Sequence, residues 1–298
     1  MNLFKVLTKR NIKLFFKDKG LFFTSLITPM ILLVLYATFL GNVYKDSLLS
    51  TLPIGITLSE RLVDGYVGGQ LISSILAVSG VTVAFCSNML MVQDRANGTI
   101  RDLTVSPVKP NVLAVSYYAT TLASTLLICF AATAICLLYV AVIGWYLSVA
   151  DVFFLLLDVF LLVMFGTALS SFINFFLSTQ GQISAVGSII SSVYGFICGA
   201  YMPISQFPEG LQKALSFLPG TYATSLMRVH ALGGVFSEME KEGLPAEAVD
   251  MIRKTVDCEI LFFDTPVPLW VKYAVLVGAV ILFLAGYILL HTFFRKKR

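Results

Sequence analysis

The chain has 298 residues, 57% of them apolar and 13% charged, and its 21 basic and 17 acidic side chains leave a net charge of +4. No charge falls between Pro110 and Ala150 or between Val159 and Pro208, and a helix needs only about 20 apolar residues to cross a bilayer. An ordinary soluble globular domain is thereby excluded, and little polar sequence remains on which to build a catalytic centre. The cysteines form no framework either. Cys86, Cys129, Cys136 and Cys198 sit in apolar segments and Cys258 stands alone in a polar one, whereas metal sites and stapled domains need paired or clustered thiols.

Lys5, Lys9, Lys13 and Lys17 recur every four residues and form one stripe of a helix over residues 3–19. Leu7, Leu14 and Phe15 lie elsewhere around it, the pattern of a helix resting in the membrane interface. The first span is expected over 21–40, with Pro29 tolerated because neighbouring helices compensate the lost backbone bond. Further spans are expected over 67–92, 112–143, 152–176, 183–201 and 271–291. Trp145 and Tyr146 close the third at the level where amphipathic rings favour the membrane surface, and Ser178-Thr179-Gln180-Gly181-Gln182 separates the fourth from the fifth. The fold class is therefore an all-α polytopic membrane protein with six transmembrane helices and an N-terminal interfacial helix, forming one transmembrane domain over 1–298.

An even number of spans places both termini on one side. That side holds Lys5, Lys9, Arg10, Lys13, Lys17, Lys19, Arg95, Arg101, Lys109 and the tail Arg295-Lys296-Lys297-Arg298, against only Asp18, Asp94 and Asp102. The positive-inside rule makes it cytoplasmic. The expected location is a cell inner or plasma membrane.

Three segments carry functional expectations. The cytoplasmic loop 93–108 has internal order: Ile100 and Leu103 lie three apart and offer an apolar contact on a short helix, while Arg95, Arg101 and Asp102 face water or a partner. The region 202–268 is too long for a simple turn, and Pro203, Pro208 and Pro219 interrupt its helices. Broken helices that enter the membrane from outside and return fit this pattern, with an acidic cap over 238–264. Gly187, Ser191, Gly195 and Gly199 repeat at four-residue spacing on the fifth span and make a small-residue packing face. Asp158 is the one carboxylate deep in an expected span, costly there unless it faces protein, water or cargo, and so a candidate for the substrate path. His230 and His291 have no convergent ligands, no nucleophile has a base beside it, and no Gly-x-x-x-x-Gly-Lys-Ser/Thr loop is present to cradle a nucleotide.

The ordered combination resembles the permease subunit of an ABC-2-type exporter. The features that carry the resemblance are the basic N-terminal segment, the loop Asp94-Arg95-Ala96-Asn97-Gly98-Thr99-Ile100-Arg101-Asp102-Leu103 followed by Ser106-Pro107, and the outer run from Gly199-Ala200-Tyr201-Met202-Pro203 through Phe207-Pro208, Pro219, Tyr222 and Arg228. Asp94 stands where the family often has Glu. The resemblance implies two permease copies, or one and a close homologue, seated on two cytoplasmic ATP-binding subunits that hold ATP and Mg; this chain is then not an enzyme and binds no cofactor itself, and no nucleic-acid partner is expected. Asp94, Arg95, Gly98, Thr99, Arg101, Leu103 and Pro107 would couple to the ATPase, and Pro203, Phe207, Pro208, Pro219, Tyr222 and Arg228 would form the outer gate. A drug-like or lipid-like amphipathic cargo is the first expectation, with a lipid-linked glycan or a peptide as the alternative. An ion-coupled secondary transporter using Asp158, and a membrane scaffold or sensor, are the readings from other classes.

Overall fold

The computed structural model describes residues 3–53, 56–100, 103 and 110–293. The amphipathic helix α1 (Leu3–Lys17) comes first. Asp18 then caps α2 (Lys19–Leu35) by accepting the Leu21 amide at 3.1 Å. A π-helical turn at Tyr36–Leu40 carries the helix on into α3 (Gly41–Thr51). A glycine is required where that wide turn ends, since a Cβ on Gly41 would lie 2.7 Å from the Tyr36 carbonyl oxygen. The long helices α4 (Glu60–Ala96), α5 (Pro110–Ile143) and α6 (Val149–Asn174) follow. The remaining elements are α7 (Gln180–Ile197), the short α8 (Glu209–Leu215), α9 (Pro219–Lys241), α10 (Ala246–Thr255), a hairpin of β1 (Leu261–Phe262) and β2 (Thr265–Pro266), and α11 (Leu269–Phe293).

Five helical stretches among the described residues are long and apolar enough to cross a membrane: Lys19–Thr51, Glu60–Ala96, Asn111–Ile143, Val149–Asn174 and Leu269–Thr292. Four of them contain an expected span, over 21–40, 67–92, 112–143 and 271–291, and Val149–Asn174 ends two residues short of the span expected over 152–176. The expected span over 183–201 is the 18-residue helix α7, which ends four residues early, at Ile197. It is less apolar than the others because serines interrupt it at positions 184, 188, 191 and 192.

Helix α4 is the axis of the bundle, packed against α2, α5, α6, α7 and α9. Lipid offers no solvent-driven force between helices, so close approach and dispersion decide such packing. Gly80 and Gly166 supply it here: a Cβ on Gly166 would stand 2.5 Å from the Gly80 carbonyl oxygen, and one on Gly80 would stand 2.6 Å from Leu162. The break between α6 and α7 is built by a capping box in which the Thr179 hydroxyl and the Gln182 side chain satisfy each other's backbone amides. Ser148 and Asp151 do the same at the start of α6.

Candidate functional site

At the basic end of the bundle α1 lies along α5. Leu7, Asn11 and Phe15 are buried, while Lys5, Lys9, Lys13 and Lys17 form an exposed stripe, as an interfacial helix requires. The loop expected over 93–108 is shorter than its sequence suggests, because α4 continues through Ala96. Asp94 is buried on its last turn. Its carboxylate accepts from the Arg10 guanidinium at 2.9 Å and from the Tyr117 hydroxyl at 2.6 Å, so α1, α4 and α5 meet at one ion pair. The hydrogen bond to Asp94 holds the Arg10 guanidinium above its usual pKa range against the opposing effect of burial.

Arg95 departs from the expectation that it faces water or a partner. Its guanidinium turns inward and donates to the carbonyls of Phe175 and Leu177, both at 2.6 Å, capping the C-terminus of α6. Those carbonyls have no helical partner of their own, which is why a cation settles there. Gly98, at φ +78°, reverses the chain just past α4, and Leu103 packs against the apolar cluster to which Leu7, Met91 and Val92 belong. Thr99 is half-buried. Arg101 and Pro107 lie outside the described residues.

A cavity of about 890 Å³ opens between α2, α4 and α7. One wall is aliphatic, with Ile27 and Ile31 more than half exposed; the facing wall carries Ser184, Ser188, Ser191 and Ser192, and Gln93 and Gln180 sit at its basic end. Among the described residues no charged side chain lines it. Gly187 and Ser191 belong to this wall. The four-residue series nevertheless does not make one packing face. A Cβ on Gly187 would meet Met89 of α4, Gly195 receives the ring of Tyr201, and Gly199 lies beyond the helix at φ +76°. Even spacing is lost because α7 ends in a reversal, in which the amides of Ala200 and Tyr201 both donate to the Gly195 carbonyl.

The acidic end holds two buried polar clusters. Arg228, on α9, is completely buried; it donates to Asp257 at 3.1 Å and to the Gly199 carbonyl at 2.5 Å. Asp257 also accepts from the amides of Ile204 and Ser205, so one carboxylate joins α9, the end of α10 and the turn after α7. Tyr222 is buried as well, donating to the Ser216 carbonyl at 2.6 Å. Neither Tyr222 nor Arg228 lines the cavity between α2, α4 and α7; both are tied into the packing of the α7–α9 segment. The prolines act locally: Pro203 leads into the turn Ile204–Gln206, Pro208 caps α8 with Phe207 half-buried before it, and Pro219 opens α9, where its missing amide costs nothing.

In the second cluster Asp158 is fully buried on α6 and spends one oxygen on His230 Nδ1 at 2.6 Å and the other on the Tyr273 hydroxyl at 2.8 Å. It is absent from the walls of the large cavity. Where the sequence suggests a residue of the substrate path, the structure shows a carboxylate that ties α6 to α9 and α11. The partners Arg10, Tyr117, His230, Asp257 and Tyr273 escaped the sequence reading. The one signal available was the cost of an isolated carboxylate in a span, which demands a partner without naming it.

A helical bundle with five membrane-length helices among the described residues, a basic amphipathic helix clamped to one end and interrupted short helices at the other defines a polytopic membrane domain. The sequence profile of the ABC-2 type transporter family matches residues 2–232, and the chain belongs to that family. It is a membrane-spanning permease subunit of an ABC transporter. No curated protein matches the sequence significantly.

Proposed function

We propose that the chain works as an exporter permease, moving an uncharged drug-like or lipid-like amphipathic molecule out of the cytoplasm across six spans, with both termini cytoplasmic. The observation that carries the reading is the cavity between α2, α4 and α7, aliphatic on one wall, hydroxyl-bearing on the other and free of charge. An ionised cargo would lose its hydration there without gaining a counter-charge, whereas an amphiphile satisfies both walls. A second permease copy, or a close homologue, closes the open side of this cavity. ATP and Mg are held by two cytoplasmic ATP-binding subunits, on which α1 and the segment from Asp94 through Leu103 to Pro107 ride. Re-entrant helices α8 and α9 narrow the outer exit.

The ion-coupled alternative finds no support in a carboxylate whose two oxygens are already bonded to His230 and Tyr273. The test is reconstitution with the ATP-binding partner in vesicles, scoring ATP-dependent movement of a fluorescent lipid analogue. Ser188→Trp, which fills the cavity from an exposed position, is expected to abolish movement, and Asp158→Asn to leave it dependent on ATP. Normal movement in the Ser188 variant, or transport driven by an ion gradient without ATP, refutes the proposal.

A further inference from the structure

A second cavity, of about 510 Å³, lies at the acidic end where α9, α10 and the first turn of α11 meet. Val229, Phe236 and Leu269 give it apolar walls, and Arg253, Glu259 and Lys272 are its charged groups. Lys272 is 3% exposed, and its ammonium donates to the Ser225 hydroxyl at 2.9 Å and the Cys258 carbonyl at 2.7 Å. An ammonium carries three donors, so one is unspent. Among the described residues no carboxylate lies within 4.0 Å of it; the nearby pairs Arg228–Asp257, Arg253–Asp250 and Arg253–Glu240 do not include it. Glu259 and Asp257 act on it only from beyond ion-pair distance, and a buried cation without a contacting counter-charge is costly unless an anion completes it.

Two further observations fix the anion's character. The cavity abuts the N-terminus of a 25-residue helix, whose leading amides and dipole favour negative charge. That helix enters the apolar layer at Leu269, where Leu269 and Trp270 are exposed beside the cavity; Trp270, at 71%, is the kind of ring that marks a membrane surface. Lys272 therefore sits one turn into a membrane-length helix, at the depth of the headgroups. The apolar walls have room for the start of a chain behind such a headgroup. Arg253 adds a second positive charge. It lines the cavity with its guanidinium 5.2 Å above the Phe236 ring, and Asp250 and Glu240 hold it only at 3.8 and 4.0 Å. Glu259 offsets one of the two cations and leaves the lining net positive.

We propose that this cavity is a binding site for a phosphate oxyanion carried on a phospholipid of the leaflet at the acidic end, with Lys272 completing its ammonium on a phosphate oxygen and Arg253 closing over the headgroup. The site stands apart from the cavity between α2, α4 and α7, and it stands or falls independently of the direction or identity of any cargo. An occupied site joins α9 to α11 through the lipid as well as through Lys272, so occupancy stabilises the α9 packing.

The test uses the purified full chain in mild detergent, titrated with short-chain phosphatidylglycerol, with the diacylglycerol bearing the same tails, and with inorganic phosphate, followed by intact-protein mass spectrometry and thermal unfolding. One phosphatidylglycerol per chain is expected, at least about tenfold tighter than the diacylglycerol, with a rise in the unfolding midpoint. Lys272→Gln is expected to lose that preference, Lys272→Arg to keep it, and Arg253→Gln to weaken it a few-fold. Inorganic phosphate competing as well as the lipid assigns the oxyanion to a soluble source and overturns the lipid assignment. Equal binding of phosphatidylglycerol and diacylglycerol by the wild type overturns the site altogether, even if the Lys272→Gln chain fails to fold. A folded Lys272→Gln chain that binds phosphatidylglycerol like the wild type also overturns it.

Discussion

Substituting Asp257 tests the account of the buried acidic-end cluster most sharply. Its carboxylate is the counter-charge of Arg228, whose side chain has no solvent exposure, and it also accepts the amides of Ile204 and Ser205. Burial is the largest influence on the Arg228 guanidinium and opposes its charge; the Asp257 carboxylate, together with Tyr44 and Tyr36, outweighs it and keeps the group ionised in the intact pair. Removing one member of a buried pair strands the other, at a cost of about 3–5 kcal/mol. Asp257 also sits at φ +55°, a left-handed conformation that Asn adopts readily and Ala resists by about 1 kcal/mol. Asp257→Asn therefore isolates the charge, while Asp257→Ala adds backbone strain and is expected to be the worse of the two. Adding Arg228→Met to Asp257→Asn removes the stranded charge and is expected to recover about 2 kcal/mol or more as a coupling energy. Denaturation of the purified protein by a graded detergent mixture reads the wild type, the two Asp257 variants, Arg228→Met and the double variant on one scale. Losses below about 1 kcal/mol for either Asp257 variant, or strictly additive effects in the double variant, refute the claim that this pair holds α9 to the end of α10 and the turn after α7.

Two further outcomes follow from local geometry. Gly98 is left-handed with open space around the position of a Cβ, so Gly98→Ala is expected to cost about 1–2 kcal/mol through the backbone alone. In the reconstituted transporter that variant should insert normally but lose substrate-stimulated ATP hydrolysis; normal stimulation would detach this turn from any coupling role. Burial pushes the Cys258 thiol up to about 12, with the neighbouring Arg228 and Lys272 charges pulling the other way. The thiolate that reacts with maleimide therefore forms in the folded chain only as pH approaches 12. Labelling of Cys258 at pH 8 is expected only after unfolding, as mass spectrometry of the labelled peptide will show.

The basic and acidic ends show where sequence reasoning reaches and where it stops. The positions of the membrane helices were legible because lipid imposes a length and a composition that a single chain must display openly. Of the caps, only the polar break that holds Thr179 and Gln182 was marked in the sequence; the box of Ser148 with Asp151 and the left-handed turn at Gly98 came with the structure. The lysine stripe of α1 followed from helical period alone.

What a side chain faces was settled only by the tertiary structure. Arg95 reads as a solvent-facing cation until the end of α6 is brought beside it, and the series Gly187, Ser191, Gly195 and Gly199 reads as one face until the chain reverses after Ile197. Arg10 finds Asp94 across 84 positions, Asp158 finds His230 across 72, and Arg228 finds Asp257 across 29. Such pairs leave no periodic trace in the sequence. The cost of a buried charge says that a partner must exist, and only the packing of the helices says which one it is.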